Sequence, residues 1–318
     1  MAEDGIRPGA GQHPSHLMWR GCAVPATPVR PDPAGQHAMA IHPTAIVEPG
    51  AQLGEGVEVG PWCIVGSQVR LGDRTRLHAH VVVEGDTWLG EDCEVFPFAV
   101  LGAYPQDKKL RQGEPGGMLR IGARNRIREH VTIHGGTSFG GGITRVGNDN
   151  MLLVGCHIGH DATVGDRTVF TNGAMAAGHT WIGDAAIIGA MVGIHQFARV
   201  GTMAMLGAGS RVSSDVPPCA TVQGDRARLV GVNTVGLQRN AVSPGDAAAV
   251  KRAFRQLFWG EGPMADRIAT LLATPLGTVT LVRQICEFVA SSERGVCMPR
   301  NGRSHPAGGG ENETDAET

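Results

Sequence analysis

From Ile41 to Leu101 the chain reads IHPTAIVEPGAQLGEGVEVGPWCIVGSQVRLGDRTRLHAHVVVEGDTWLGEDCEVFPFAVL. An aliphatic residue stands at every sixth place: Ile41, Val47, Leu53, Val59, Val65, Leu71, Leu77, Val83, Leu89, Val95 and Leu101. Glycine follows it directly at Gly54, Gly60, Gly66, Gly72, Gly90 and Gly102. Four places after it the side chain is small or β-branched, as at Ala45, Ala51, Cys63, Thr75 and Ala99. A period of six suits neither an α-helix, whose apolar stripe recurs every three or four residues, nor a half-buried strand, which alternates. It is the hexapeptide pattern of a parallel β-helix, in which each hexad forms one flat face and its corner and the aliphatic residue points into the prism.

Outward from this stretch the period lapses between Gly102 and Arg120 and resumes at Ile121, Ile127 and Ile133. It slips by one residue through Gly135 to Gly142, then runs unbroken through Val146, Leu152, Ile158, Val164, Phe170, Ala176, Ile182, Ile188, Ile194, Val200, Leu206 and Val212. The two lapses predict loops near residues 103–120 and 135–145. Pro217 and Pro218 end the prism, which is expected over residues 41–218, and residues 219–242 read as a linker. Ser243-Pro244 then supplies an N-cap with proline in the first turn, and Ala247, Val250, Ala253, Phe254, Leu257 and Phe258 mark a helical face. Two further helical stretches, 264–272 and 279–290, complete a small helical domain over residues 243–298. Residues 1–40 lack any hydrophobic period and read as a disordered extension, with Met39 as an alternative start; 299–318 read as a disordered tail.

Composition narrows the function classes. The 318 residues include 47 glycines and 4% aromatics, so the interior is filled by aliphatic and small side chains. A formal charge of -2 leaves no overall basic character for nucleic acid. Seven cysteines without a C-x-x-C pair fit reduced thiols in a cytoplasmic protein rather than a disulfide framework or a zinc ribbon. No apolar run reaches the length of a membrane span, and the N-terminus lacks a secretory apolar region.

In a coil of three hexads, residues eighteen apart stack directly. Ile158, Ala176 and Ile194 then occupy equivalent places, which aligns His160, Gly178 and Gln196 in one column with His179 and His195 beside it. Histidine exchanges a proton near neutral pH without a large shift, so the patch suits general-base work on a hydroxyl. Strand alternation is expected to turn Asp161 away from His160. One histidine alone would read as a solvated surface group; convergence on one column favours a site. A rival reading takes His157, His160, His179 and His195 as zinc ligands between subunits, as in the hexapeptide-repeat carbonic anhydrases. A third makes the chain a non-catalytic hexapeptide-repeat scaffold, which would have no reason to align these groups.

Several ordered stretches resemble the UDP-N-acetylglucosamine acyltransferases of lipid A biosynthesis: PQDKKLRQGEP from Pro105, RNRIREHVTIHGGT from Arg124, CHIGHDATVG from Cys156, AAGHTWIGD from Ala176, GIHQFARVG from Gly193, SDVPPCATVQGD from Ser214 and GVNTVGLQR from Gly231. The resemblance covers about residues 41–296 and is far more specific than the period alone. It implies a left-handed parallel β-helix of about eight to nine coils, a homotrimer with active sites between subunits, and (R)-3-hydroxyacyl-acyl carrier protein as donor to the 3-hydroxyl of UDP-N-acetylglucosamine, without cofactor or metal. It assigns His160 as general base and the Gly178 N–H as oxyanion donor. It places Asp107, His179 and Gln196 on the sugar, Lys109 on the substrate, Asn233 and Arg239 on the nucleotide, and Ala208 at the acyl-chain ruler. The chain departs from the family where Asn240 replaces a second arginine, Val235 replaces an acidic nucleotide contact, and one residue is added around Leu110 to Gln112. The relative that N-acylates a later intermediate carries a uridine-binding domain before its repeats, and the unpatterned first forty residues cannot supply one.

Overall fold

The computed structural model describes residues 40–110 and 113–300. The readings of the N-terminal extension, of Met39 as a start and of the tail from Asn301 therefore lie outside the described residues, as does part of the added segment near Leu110. Parallel strands, most of two residues, stack into three sheets that begin at Ala40–Ile41, Ile46–Val47 and Gln52–Leu53. Each strand pairs with the one eighteen residues on: Ile41 with Val59, Val47 with Val65, Leu53 with Leu71. Three hexads therefore close one coil. Where the period lapses, the partner moves further along the chain, as with Val95 and Ile127 or Ile133 and Ile158. Two loops account for this: loop 1 between Ala103 and Met118, and loop 2 between His134 and Ile143.

The hexad explains its own residue types. Leu77, Leu89, Leu101, Ile127, Ile133, Leu152, Ile158 and Ile182 are fully buried in the prism, each stabilising it by about 1.5–3 kcal/mol over exposure. Ile41 is 43% exposed, against the inward placement expected, because among the described residues no coil lies beneath the first to cover it. The glycine after the aliphatic residue is needed because coils stack backbone on backbone. A Cβ on Gly72 would lie 2.6 Å from the Glu91 amide nitrogen, and one on Gly90 would lie 2.6 Å from the Gly122 carbonyl carbon.

Many corners hold a residue at positive φ, and several of these are bulky: Trp62 (60°), His80 (59°), Phe98 (65°) and His130 (58°). Stacking along the edge offsets that strain, with His80 on Phe98 at 5.0 Å and Phe98 on His130 at 5.1 Å between centroids. Along the edge between the third and first sheets the corner residues pair by charge instead, Arg74 with Asp92 and Arg124 with Asp149.

The segment read as a linker, 219–242, is structured. Ala220–Gln223 adds a parallel strand to Met205–Leu206, and Arg228–Val232 returns antiparallel against it. A coil that stopped at the prolines would leave its last strand edge and core open, and the hairpin covers both. Helix α1 (Thr234–Arg239) follows, then α2 (Pro244–Trp259), α3 (Met264–Leu272) and α4 (Thr280–Ala290). Ser243 Oγ accepts from the Asp246 N–H to cap α2, whose buried face holds Val250, Ala253, Phe254, Leu257 and Phe258. The helical part is tied to the coil through the buried Asp215, which accepts from Arg199 Nε at 2.8 Å and Ser292 Oγ at 2.9 Å. Arg199 in turn donates to the Phe288 carbonyl and Ser291 Oγ. The six cysteines among the described residues are free and buried, and burial pushes Cys219 and Cys297 up to about 12. No described helix is long and apolar enough to cross a membrane.

Candidate active site

His160 sits at a corner between the second and third sheets, two residues beyond the strand His157–Ile158. Ile158 pairs with Ala176 and Ala176 with Ile194, so the column His160, Gly178, Gln196 is present in register. The imidazole lies directly against Gly178: a Cβ there would be 2.7 Å from both His160 Cε1 and Nε2. The Gly178 N–H occupies the second place of its corner, where the amide faces out of the coil. At equivalent places proline stands (Pro61), or an Asx side chain from the next coil takes the amide, as Asp73 does for Glu55 and Asn148 for Ala123. The Gly178 N–H donates to no acceptor among the described residues, and so is available to a ligand oxygen.

The expectation that Asp161 turns away from His160 is overturned. A hexad has only two strand residues here, so alternation stops at Ile158; Asp161 is the corner residue, at φ 58°. Its carboxylate folds back to accept from His160 Nδ1 at 2.9 Å while staying 1% exposed. Loop 2 supplies its other partners. Thr137 donates its hydroxyl to Asp161 Oδ2 at 2.7 Å and its N–H to Oδ1 at 3.0 Å. Burial pushes the Asp161 carboxyl up, yet the Thr137 and His160 hydrogen bonds outweigh it and hold the group below the usual carboxylate range. An ionised carboxylate only accepts, so the proton between the two residues belongs to His160 Nδ1, and it is the neutral imidazole of this tautomer that carries its lone pair on Nε2.

Both loops leave the coil at this same corner. Loop 1 brings Asp107 Oδ2 to 3.7 Å from His160 Nε2. The Lys109 N–H donates to Asp107 Oδ1 at 2.8 Å, and Lys109 Nζ lies 6.0 Å from the centre of the exposed Phe139 ring on loop 2. His179 meets His160 edge-on at 5.1 Å and stacks on Phe197 at 4.6 Å. Burial lowers the His179 pKa, against the pull of Asp161, so the ring is neutral at pH 7. Thus His160, Gly178, Asp107, Lys109 and His179 converge.

The remaining candidates do not join them within one chain. Gln196 is exposed one coil further on; His195 faces Arg294, with Nδ1 3.2 Å from its guanidinium. Ala208 is exposed on the corner between the first and second sheets. Asn233 caps α1, accepting from the Gly236 N–H and donating to the Met203 carbonyl on the corner between the third and first sheets. Arg239 is exposed at the end of that helix, and Asn240 closes it by donating to the Gly236 carbonyl.

Within one chain the four histidines of the zinc reading do not assemble around one point. Among the described residues, ligand atoms of His160, Asp161 and His179 lie within 4.8 Å of one another, and neither His157 nor His195 belongs to that group. His157 Nδ1 is bonded to Thr132 Oγ1 at 2.8 Å. Asp161 Oδ2 already accepts from the Thr137 hydroxyl and lies against His160 Nδ1, so an ion there would compete with those hydrogen bonds.

Sequence reading missed Thr137, and also His134, a buried ring edge-on to His157 at 4.7 Å whose Nδ1 has no partner. Burial, then the neighbouring His157 and His160, lower its pKa to about 4. In the unfolded chain the same ring takes a proton near ~6.5, so between these values the unfolded state binds more protons and folding weakens as pH falls. At pH 7 both states are neutral and nothing is lost. The cost at pH 4 is about 3 kcal/mol from this ring. The melting temperature is expected to drop between pH 6.5 and 4, less steeply in His134→Leu; parallel pH profiles would contradict this.

Comparison with known proteins shows the family. A family model described as Udp N-acetylglucosamine O-acyltransferase, Domain 2, matches residues 215–297. The chain is 43% identical over 256 residues to the acyl-[acyl-carrier-protein]–UDP-N-acetylglucosamine O-acyltransferase of Thiobacillus denitrificans, covering 80% of this chain and 98% of that protein. It is 41% identical over 259 residues to the enzyme of the same description from Herminiimonas arsenicoxydans, with 80% and 98% covered. Among solved structures it resembles LpxA from Acinetobacter baumannii, with a TM-score of 0.78 at 37% identity over 81% of this chain and 99% of that one. The Arabidopsis UDP-N-acetylglucosamine acyltransferase gives a TM-score of 0.73 at 32% identity over 81% and 99%. The coil is the left-handed parallel β-helix of these structures.

Proposed function

Because this chain belongs to the family of acyl-[acyl-carrier-protein]–UDP-N-acetylglucosamine O-acyltransferases, which carry out the first step of lipid A biosynthesis, its reaction is acyl transfer to the sugar nucleotide, and we propose that His160 is the general base. The observation that carries this is the His160–Asp161 pair lying against the free Gly178 N–H. His160 Nε2 removes the proton from the glucosamine 3-hydroxyl as that oxygen attacks the thioester carbonyl of an (R)-3-hydroxyacyl carrier protein. The developing oxyanion takes the Gly178 N–H. Collapse expels the carrier thiolate, which recovers the proton from His160 Nε2. Asp161 accepts from Nδ1 throughout and stabilises the imidazolium.

Asp107 faces Nε2 at 3.7 Å and orients the sugar hydroxyl; neutral His179 and Gln196 hold the sugar further along the column. Lys109 supplies a cation from loop 1. Arg239 grips the diphosphate with its planar fork, and Asn233 offers its remaining amide hydrogen. The base, Asn233 and Ala208 lie at three different corners of one prism. Packing copies about a threefold axis brings such corners together, which is the case for a homotrimer with shared sites. Ala208 then ends the acyl pocket. Substrates of this kind, a nucleotide sugar and a carrier-protein thioester, support the reading of a cytoplasmic enzyme. The test of the whole reading is product mass from purified protein and these two substrates.

The carrier protein is acidic by this proposal and docks at α2. Lys251 and Arg255 line a cleft of about 590 Å³ with Phe254 and the half-exposed Trp259; Arg252 does not line it. Replacing Lys251 and Arg255 by glutamate is expected to raise the donor KM several-fold and flatten its salt dependence, with the KM for the sugar nucleotide unchanged. Unaltered donor kinetics would remove this helix from the docking face.

A further inference from the structure

Loop 2 interrupts the coil with GGTSFGGG, residues 135–142, where the hexad period alone would run straight on. Its inner end is fully buried and grips one residue. Thr137 is 0% exposed and turns both its N–H and its hydroxyl onto the Asp161 carboxylate. Thr144, just beyond the loop, accepts the Asp161 N–H at 2.8 Å. The loop is pressed onto this pair so closely that a Cβ on Gly140 would overlap Asp161 Oδ2, His179 Cε1 and Thr137 Oγ1. The loop also closes on itself, with the Thr137 carbonyl accepting from the Gly140 and Gly142 amides at 3.1 and 2.9 Å.

We propose that Thr137 is a positioning residue for the acyl transfer, holding Asp161 so that the His160 proton stays on Nδ1 and Nε2 stays open to the substrate hydroxyl. This rests on the reading of His160 as base. The physical case follows from the torsions of aspartate. Its terminal sp³–sp² torsion is broad and two-fold, so a carboxylate held only by the neighbouring imidazole samples many orientations. Two donors from one threonine leave it one orientation, with Oδ2 at 2.9 Å from His160 Nδ1. Asp161 is 1% exposed, so water cannot replace the lost donor if Thr137 is removed. A histidine whose Nδ1 partner wanders is free to carry its proton on Nε2, the wrong nitrogen for a base.

The experiment is nitrogen NMR of the full-length protein with ring-labelled histidine, at a pH where the imidazoles are neutral, run beside steady-state kinetics. Wild type is expected to show His160 as the Nδ1–H tautomer. In Thr137→Val the Nε2–H form appears and kcat falls about tenfold, the size of one hydrogen bond to a charged group, while the KM for the sugar nucleotide is unchanged. Thr137→Ser, which keeps the hydroxyl, restores both. Thr137→Ala gives the same reading as valine should that variant not fold. A Thr137→Val enzyme with the wild-type tautomer and kcat overturns the proposal, as does a rise in KM alone, which marks a loop anchor. Retained activity in His160→Ala would instead defeat the base assignment beneath it, whatever the tautomer.

Discussion

His160→Ala is expected to lower turnover by ~10²–10⁴-fold, the usual contribution of a positioned general base. The fold survives the change because the coil is anchored at this place by the fully buried Ile158, and Asp161 keeps its Thr137 hydrogen bonds when the imidazole is gone. Activity and folding therefore separate: circular dichroism, melting temperature and oligomer size match wild type while kcat collapses. Substrate affinity changes little, since Asp107, His179 and the Gly178 amide stay where they are. A variant that turns over at the wild-type rate would show that His160 has no part in the chemistry.

Gly178→Ala comes next in size, and its cause is steric. Gly178 does not adopt a positive φ, so alanine fits the backbone and keeps the N–H. Its methyl, however, would stand 2.7 Å from His160 Cε1 and Nε2, the side of the ring that receives the proton. The imidazole must move away from both Nε2's target and Asp161. A displacement of about 1 Å at a reacting group costs about 10²-fold, and the loss is expected in kcat with the melting temperature nearly unchanged. Full activity in Gly178→Ala would mean that the ring and the glycine do not share the reaction space.

How much of this was legible in the sequence depends on range. The hexad period carried the three-faced prism and the inward residues, because a coil repeats the same local problem and solves it with the same residue types. It also carried the stacking of His160 on Gly178, since eighteen residues is a pairing distance in this architecture. The Ser243 cap and the spacing from Val250 to Phe258 carried α2. Asp161 was misread because strand alternation was extended into a corner, where φ turns positive and the side chain swings back. Placing it third after Ile158, at the site of Trp62 and Phe98 in other hexads, would have shown this. Thr137 left no such trace: it reaches Asp161 from twenty-four residues away through a loop with no period. The hairpin within 219–242 was missed because antiparallel return strands break the hexad that announced the others. Ala208 and the Met203 carbonyl that Asn233 bonds lie at other corners than His160, and one chain's period does not bring those corners together.

The most direct measurement incubates the purified, exhaustively chelated protein with UDP-N-acetylglucosamine and a series of (R)-3-hydroxyacyl carrier proteins, and reads the product by mass beside His160→Ala. The expected result is a sugar nucleotide heavier by one hydroxyacyl group, formed at the same rate before and after chelation, absent at that rate from the variant. Failure of the chelated protein to form it, with recovery on adding zinc, or equal product from His160→Ala, would contradict the assignment of His160 as the base.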